Sequence, residues 1–168
     1  GMEQKTTNAP SCIVALGNGT NTSANDSVAV GHQAEVTTVN GIAIGSFATA
    51  TNKNDTTRDA TIAIGSAASA TSARAIAIGR AAIASNHYAI ALGSNPDIAS
   101  NTNNTTASGA SAIAIGRRAE ANAAQSVAIG AGATVGTKHS NSVAIGHNAT
   151  TSARDQIVLG DENTTVFI

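Results

Sequence analysis

One four-residue pattern recurs along the chain: an aliphatic residue, a central residue that is usually alanine, a second aliphatic residue and glycine. Successive glycines of this pattern are 14 residues apart in six of nine cases and farther apart in the other three. A fixed internal period of this kind is the sequence sign of a repeat architecture. The ten copies lie at Val14–Gly17, Val28–Gly31, Ile42–Gly45, Ile62–Gly65, Ile76–Gly79, Ile90–Gly93, Ile113–Gly116, Val127–Gly130, Val143–Gly146 and Ile157–Gly160.

Each repeat is predicted to contain two short strands. Alternation of β-branched residues with alanine is typical of a strand rather than a helix, and a second alternating segment of small residues follows most of the glycines. A unit of 14 residues buries too little surface to fold alone, so successive units must stack. We therefore predict an all-β fold, a parallel β-solenoid of about ten coils. With strands about 4.8 Å apart, ten coils make a rod roughly 50 Å long.

The two faces of the main strand lead to a prediction about assembly. We expect the flanking aliphatic side chains to point into the coil and the central side chain to point outwards. A column of outward alanines favours close packing against a flat partner, and the predicted assembly is a homotrimer with C3 symmetry. An isolated chain with an inert alanine face is the alternative. The predicted interface residues are Ala15, Ala29, Ala43, Ala63, Ala77, Ala91, Ala114, Ala128 and Ala144.

The composition argues against several classes of protein. Hydrophobic residues make up 42% of the chain, aromatic residues 2% and charged residues 11%. The formal net charge of −1 argues against nucleic acid or an anionic membrane as the main partner. Since no run of about 18 apolar residues is present, no membrane contact is predicted for this segment. The single cysteine, Cys12, excludes a disulfide framework within the chain.

The three longer spacings mark insertions, and we place all three at the polar turn after the second strand of a coil. Insertions at one coil position emerge along one edge of a solenoid, which is often the binding edge. Tolerated variation in surface loops is the alternative interpretation. The candidate ligand-binding residues in these loops are Asn52, Lys53, Arg58, Asn101, Asn103, Asn104, Lys138 and His139.

Candidates for catalysis, cofactors or metals are weak. His32 and His147 share the position after the repeat glycine with Arg117, which favours a solvated turn position. Arg118 adds to a small basic patch that Glu120 balances. Most of the aspartates lie near turns, where their carboxylates accept hydrogen bonds from the backbone. Because the sequence contains no nucleophile elbow and no aromatic sugar platform beside paired acids, we predict no enzyme, no cofactor and no metal site.

The sequence of residues 141–146, Asn-Ser-Val-Ala-Ile-Gly, resembles the head repeat of YadA-like trimeric autotransporter adhesins of Gram-negative bacteria, and residues 125–130 and 26–31 are close variants. The resemblance extends over essentially all of residues 13–160. It implies a homotrimer of left-handed parallel β-rolls, whereas the crossover rule alone suggests a right-handed connection. It also implies a non-enzymatic, virulence-associated head that binds host matrix proteins such as collagen or fibronectin. Such heads lie at the cell surface and are anchored in the outer membrane through a C-terminal part that we do not find here.

Three parts are predicted along the chain. Residues 1–12 form a flexible lead-in, in which Gly1 before Met2 is typical of a tag-cleavage remnant. Residues 13–160 form the β-roll head, and residues 161–168 lead to a neck, a cap or further fibre. This last run also resembles linking segments of phage and viral fibres, so a structural fibre segment is the alternative function. A solenoid enzyme or ice binder is a third class, disfavoured by the period and by the interrupted threonine array.

Overall fold

A computed structural model describes residues 12–52, 60–95 and 103–165, and these ranges contain β-strands and turns but no helix. A three-residue strand precedes each repeat glycine, and in eight coils a two-residue strand follows the glycine turn. The three-residue strands are β1 (Val14–Leu16), β3 (Val28–Val30), β5 (Ile42–Ile44), β7 (Ile62–Ile64), β9 (Ile76–Ile78), β11 (Ile90–Leu92), β13 (Ile113–Ile115), β15 (Val127–Ile129), β17 (Val143–Ile145) and β18 (Ile157–Leu159). The two-residue strands are β2 (Asn21–Thr22), β4 (Glu35–Val36), β6 (Thr49–Ala50), β8 (Ser69–Ala70), β10 (Ile83–Ala84), β12 (Thr106–Ala107), β14 (Glu120–Ala121) and β16 (Thr134–Val135).

Each strand pairs in parallel with its counterpart in the next coil, which produces two sheets. The three-residue strands form a ten-stranded sheet in chain order, the aliphatic sheet, and the two-residue strands form an eight-stranded sheet, the short sheet. The repeats stay in register across the first insertion, because Ala43 pairs with Ala29 on one side and with Ala63 on the other. The prediction of a parallel β-solenoid with two short strands per coil is therefore confirmed.

The predicted direction of the side chains in the aliphatic sheet is wrong. Its central alanines point into the coil, and their flanking aliphatic side chains point outwards. A side chain without exposed surface in the single chain cannot contact a partner, so these alanines are not the interface. The alanines at 0% exposure are Ala29, Ala43, Ala63, Ala77, Ala91, Ala114, Ala128 and Ala144. Ala15 is partly exposed because its strand, β1, lies at the end of the sheet with a neighbour on one side only.

The central alanines face inwards, and not outwards as predicted, because the interior of the roll is narrow. The largest fully buried side chains in the described residues are valines and threonines, such as Val36, Val135, Thr38 and Thr61. Both turns of a coil are short, so the two sheets approach too closely for leucine or isoleucine to fit between them. Hydrophobicity alone favours isoleucine inside, but the close packing of protein interiors makes volume the deciding factor.

Several of the polar side chains that face the interior form hydrogen bonds at the second turn of the coil, whereas the buried Thr22 hydroxyl has no partner among the described residues. The Ser27 hydroxyl donates to the carbonyl oxygen of Ala24 at 2.8 Å, and the Ser126 hydroxyl donates to that of Ala123 at 2.6 Å. Thr38 and Thr61, in coils on either side of the first insertion, share a hydrogen bond of 2.7 Å. These bonds replace the hydrogen bonds to water that a hydroxyl group loses when it is buried.

The repeat glycines form a column in which the backbones of neighbouring coils touch. Gly65 has a φ of +131°, and a Cβ atom on it would lie 2.6 Å from the carbonyl carbon of Gly79 in the next coil. Both the backbone conformation and the space therefore require glycine at this turn. The other repeat glycines from Gly17 to Gly146 meet a backbone atom in the same way, which explains why glycine ends these copies of the pattern.

Enlarging a central alanine should destabilise the fold. Ala114→Leu should lower the free energy of unfolding by about 1–3 kcal/mol or more, because the added methyl groups have no space between the sheets. Ala124→Leu adds the same atoms at an exposed turn residue and should change it by less than about 0.5 kcal/mol. Chemical denaturation measures both values. Equal values for the two variants would contradict the narrow interior.

Replacing a repeat glycine should also destabilise the fold. Gly65→Ala combines a strained φ, which costs about 1–3 kcal/mol, with a clash against the backbone of the next coil. Ser66→Ala, at the following exposed residue, is the matched control and should leave the unfolding midpoint within a degree or two of the wild type. A Gly65→Ala variant with wild-type thermal stability would show that the glycine column is not needed.

Candidate binding surfaces

The outer face of the aliphatic sheet is an uninterrupted apolar surface, here called the aliphatic face. Each of its ten strands contributes two outward valine, isoleucine or leucine side chains. Many remain well exposed in the single chain, for example Ile44 at 39%, Leu92 at 41% and Ile157 at 74%. Contiguous apolar surfaces of this length are rare on soluble monomers, and they mark sites of interaction.

The outer face of the short sheet has the opposite character. Its outward residues are mostly hydroxyl-bearing, amide or acidic, as in Glu35, Thr49, Ser69 and Glu120, with Ile83 as an exception. Some of these side chains are bonded to their neighbours one coil away. The Asn21 amide donates to Glu35 at 3.4 Å, and Ser108 donates to Asn122 at 2.8 Å. One side of the roll is thus suited to water and the other to an apolar partner.

The three insertions do not all lie at the same turn, which corrects the prediction. The first insertion follows β6 and the third follows β16, so both lie at the second turn, as predicted. The inserted residues of the second precede β12, whose Thr106 pairs with Ile83 of β10. This insertion therefore lies at the glycine turn, on the other edge of the roll. Spacing between glycines gives the number of inserted residues but not the turn at which they are inserted, which is why the sequence-based placement failed.

The predicted loop residues have different environments. Lys53, Arg58 and Asn101 lie outside the described residues. Asn52 and Asn104 are buried, at 2% and 9% exposure, so their side chains belong to the interior. Asn103 is partly exposed and Lys138 is exposed. His139 is partly buried, and its Nδ1 atom lies 2.8 Å from the Thr151 hydroxyl oxygen.

The second insertion is closed at its base by hydrogen bonds between described residues. The Asn95 amide nitrogen donates to the Asn104 side-chain oxygen at 2.9 Å, and the Arg80 guanidinium donates to the Asn95 carbonyl oxygen. The Thr105 hydroxyl then donates to the carbonyl oxygen of Gly116 at 2.7 Å. The chain thus leaves the coil and returns to it at one point, so the inserted residues do not interrupt the stacking.

The glycine turns form an edge that carries the more distinctive side chains. Phe47 is 52% exposed and makes an edge-to-face contact with His32 of the preceding coil, with ring centroids 5.1 Å apart. Arg117, Arg118 and His147 lie farther along the same edge and are exposed. His32 and His147 occupy the same position in distant coils and do not meet.

Near the end of the described chain, Asp161 begins a tight turn. Its carboxylate accepts hydrogen bonds from the Thr164 hydroxyl at 2.9 Å and from the Asn163 backbone N–H at 3.0 Å. These two bonds, in that order of effect, hold the pKa of Asp161 below the usual aspartate range. The turn is consequently strongest with Asp161 ionised, and it loosens as the pH falls through that lowered pKa.

Within residues 12–52, 60–95 and 103–165, no group of three or more histidine, cysteine, aspartate or glutamate residues could hold a metal ion. In the same part of the chain, no helix is long and apolar enough to span a membrane.

The chain matches the model of a known repeat family. The model of the YadA head domain repeat matches residues 14–34, 39–56, 59–82, 70–95, 107–133 and 140–155, which together are more than half of the chain. The chain belongs to the YadA head domain family.

The chain is similar to the crystal structure of the collagen-binding domain of the Yersinia adhesin YadA, with 22% identity and a TM-score of 0.40. The match covers 94% of this chain and 63% of the solved one, so the chain spans less than two thirds of that structure. No curated protein sequence matched the chain.

The direction of the side chains in this YadA head repeat could have been found in the sequence. Alanine recurs at three positions of the repeat, as in Ala43, Ala48 and Ala50, and all three face the interior. Isoleucine, leucine and valine recur mainly at the two positions that flank the first of these. Small residues on both sheets therefore indicate a narrow interior, and large residues on one sheet only indicate an outer face.

Proposed function

We propose that the chain is the head of a surface adhesin and that it assembles as a homotrimer through the aliphatic face. The observation that carries this proposal is the row of outward valine, isoleucine and leucine side chains along all ten strands of the aliphatic sheet, which are half-buried or exposed in the single chain. The proposal keeps the predicted trimer but moves its interface from the central alanines to their neighbours.

Burial of the aliphatic face supplies the driving force for assembly. Each fully buried valine, leucine or isoleucine side chain contributes roughly 1.5–3 kcal/mol relative to exposure. Here the side chains are partly covered already, and association has its own entropic cost, so only a part of this value is gained. With ten strands each carrying two such side chains, the remainder is still large enough for a stable assembly.

The shape of the face favours three copies. The aliphatic face is long but only two side chains wide, and its two columns, represented by Ile76 and Ile78, point away from the same strand. In a ring of three, one column contacts one neighbour and the other column contacts the second neighbour, so every copy uses both columns. Such head-to-tail contacts close when the rotation between copies is one third of a turn.

Charges on the aliphatic face should dissociate the trimer. The double variant Ile78→Glu, Ile115→Glu places carboxylates of three chains near one apolar axis, where their desolvation is costly. Light scattering on a sizing column should give three times 16.4 kDa for the wild type and the mass of one chain for the variant. Circular dichroism checks that the strands persist.

The matched control has the same two charges on the polar side of the roll. Ser69→Glu, Thr106→Glu lies on the outer face of the short sheet and should remain a trimer. A wild-type chain with the mass of one copy would contradict the proposal, as would loss of the trimer in the control alone.

Adhesion by this head would be passive and multivalent, without a catalytic step. We propose host matrix proteins such as collagen or fibronectin as partners, because the chain belongs to the YadA head domain family. A repeat presents similar turns every coil and on each of three chains, so weak contacts add up to strong binding. The proposed location is outside the cell, on a bacterial surface, with anchoring in the outer membrane by another part of the protein.

The matrix-binding proposal predicts a difference between the trimer and single chains. Wild-type trimer should bind immobilised collagen or fibronectin at least about 100-fold more tightly than the Ile78→Glu, Ile115→Glu chain, because multivalency is lost. Surface plasmon resonance measures both affinities, and the Ser69→Glu, Thr106→Glu trimer is the control. A trimeric wild type that binds neither protein would refute these partners but would leave the assembly intact.

The predicted loop residues remain candidates for the contact. Among the described ones, Asn103, Lys138 and His139 retain exposed surface. Asn52 and Asn104 are withdrawn from this set because they are buried.

A further inference from the structure

The glycine-turn edge has a gap in its row of side chains. In the coil of β15, the two residues after the repeat glycine are Ala131 and Gly132, which leave little side chain at the surface. The preceding coil has Arg117 and Arg118 at these positions, and the following coil has polar residues at 147–148. The longer side chains of these two coils extend beyond Ala131 and Gly132, which leaves a recess between them, here called the β15 notch.

The notch has the size of one small polar group or sugar ring. Its volume is about 170 Å³, which is below the usual range for drug-sized ligands. The rows on its two sides are two coils apart, which corresponds to roughly 10 Å. The notch is lined by Arg117, Arg118, Glu120, Ala131, Gly132, Thr134, His147 and Asn148.

The cations of the notch are available to a ligand. In the described part of the chain, neither Arg117 nor Arg118 forms an ion pair or a side-chain hydrogen bond, although both are exposed. Arg74 and Arg80 are engaged, since Arg74 donates to the Tyr88 hydroxyl at 2.5 Å and Arg80 bonds at the base of the second insertion. Arg154 is exposed as well, but it lies alone at a second turn. Two adjacent guanidinium groups that form no ion pair with a protein carboxylate favour an external carboxylate or sulfate.

The remaining groups of the notch specify more than an anion. Glu120 accepts a hydrogen bond from the Asn122 amide at 3.1 Å and keeps further acceptor capacity. The Thr134 hydroxyl donates to the Gly132 carbonyl oxygen at 3.2 Å and keeps its acceptor capacity, and the Asn148 amide provides both donors and an acceptor on another wall. The Glu120 carboxylate repels a bare inorganic anion, which has no donor group that could bind to it. A sugar acid can direct its anionic group to the arginines and its hydroxyl groups to Glu120, Thr134 and Asn148.

We propose that the β15 notch binds one acidic sugar unit of a polysaccharide, a unit with a carboxylate or a sulfate group. Arg117 and Arg118 hold the anionic group, and the small residues Ala131 and Gly132 form the floor that admits the ring. The site is built by a single chain, so it does not depend on the matrix-protein proposal. In a trimer, three such sites would act on one polymer.

The test uses the full chain and three hexasaccharides of equal length. Hyaluronan has carboxylates only, chondroitin sulfate has carboxylates and sulfates, and chitin is neutral. Isothermal titration calorimetry should show binding of at least one acidic hexasaccharide and none of the neutral one. The double variant Arg117→Ala, Arg118→Ala should weaken that binding by at least about tenfold, because charge-assisted hydrogen bonds are lost.

Two matched pairs of variants separate the notch from general charge. Arg154→Ala removes an equally exposed arginine at the second turn and should leave the affinity within about twofold. Ala131→Glu should abolish binding, because its side chain fills the floor of the notch and its negative charge repels the anionic sugar. Ala131→Ser should bind nearly as well as the wild type. Serine occupies this position in other coils, at Ser46 and Ser66, so folding is preserved.

The outcomes show whether the ligand's anionic group is a carboxylate or a sulfate. They also distinguish binding at the notch from non-specific attraction to positive charge on the surface. Preference for chondroitin sulfate assigns the notch to sulfate, and equal affinity for both acidic polymers assigns it to the carboxylate. The proposal is overturned if no acidic hexasaccharide binds, if the neutral one binds equally well, or if Arg154→Ala weakens binding as much as the double arginine variant.

Discussion

The distance between the two sheets is the constraint on which the rest of this molecule depends. It permits only small side chains inside, so each coil buries alanine where most proteins would bury leucine. The large aliphatic residues are consequently placed on the outside. A roll of this kind leaves its own large hydrophobic residues partly uncovered, so the exposed aliphatic face follows directly from the width of the interior.

The repeat residues each have an identifiable physical task, which explains why so much of the fold could be predicted. In residues 141–146, Asn141 adopts a left-handed conformation with a φ of 59°, which asparagine tolerates well. Ser142 donates a hydrogen bond to the Ala153 carbonyl oxygen at 3.1 Å, across the turn. Ala144 fills the interior, its two neighbours form the outer face, and Gly146 permits contact with the next coil.

The two errors made from sequence have different causes. The inward and outward residues were exchanged because alternation fixes which residues share a face but not which face is buried; only the volume of the interior decides that. The second insertion was assigned to the wrong turn because the spacing gives the number of inserted residues but not their position in the coil. The pairing of Thr106 with Ile83 shows that they lie at the glycine turn. The β15 notch depends on side chains from three coils, so it appears only after the coils are aligned.

The parallel register also has a consequence for how such a chain reaches its native state. Strand partners are one repeat apart, as for Ala63 and Ala77, so each new pairing closes a short loop, even where a repeat carries an insertion. Loop closure of this size costs little entropy, and the cost does not grow as the rod lengthens. Ordering can therefore proceed as a growth reaction, one coil at a time from any formed coil. One end of the chain can therefore become ordered while the remainder is still extended.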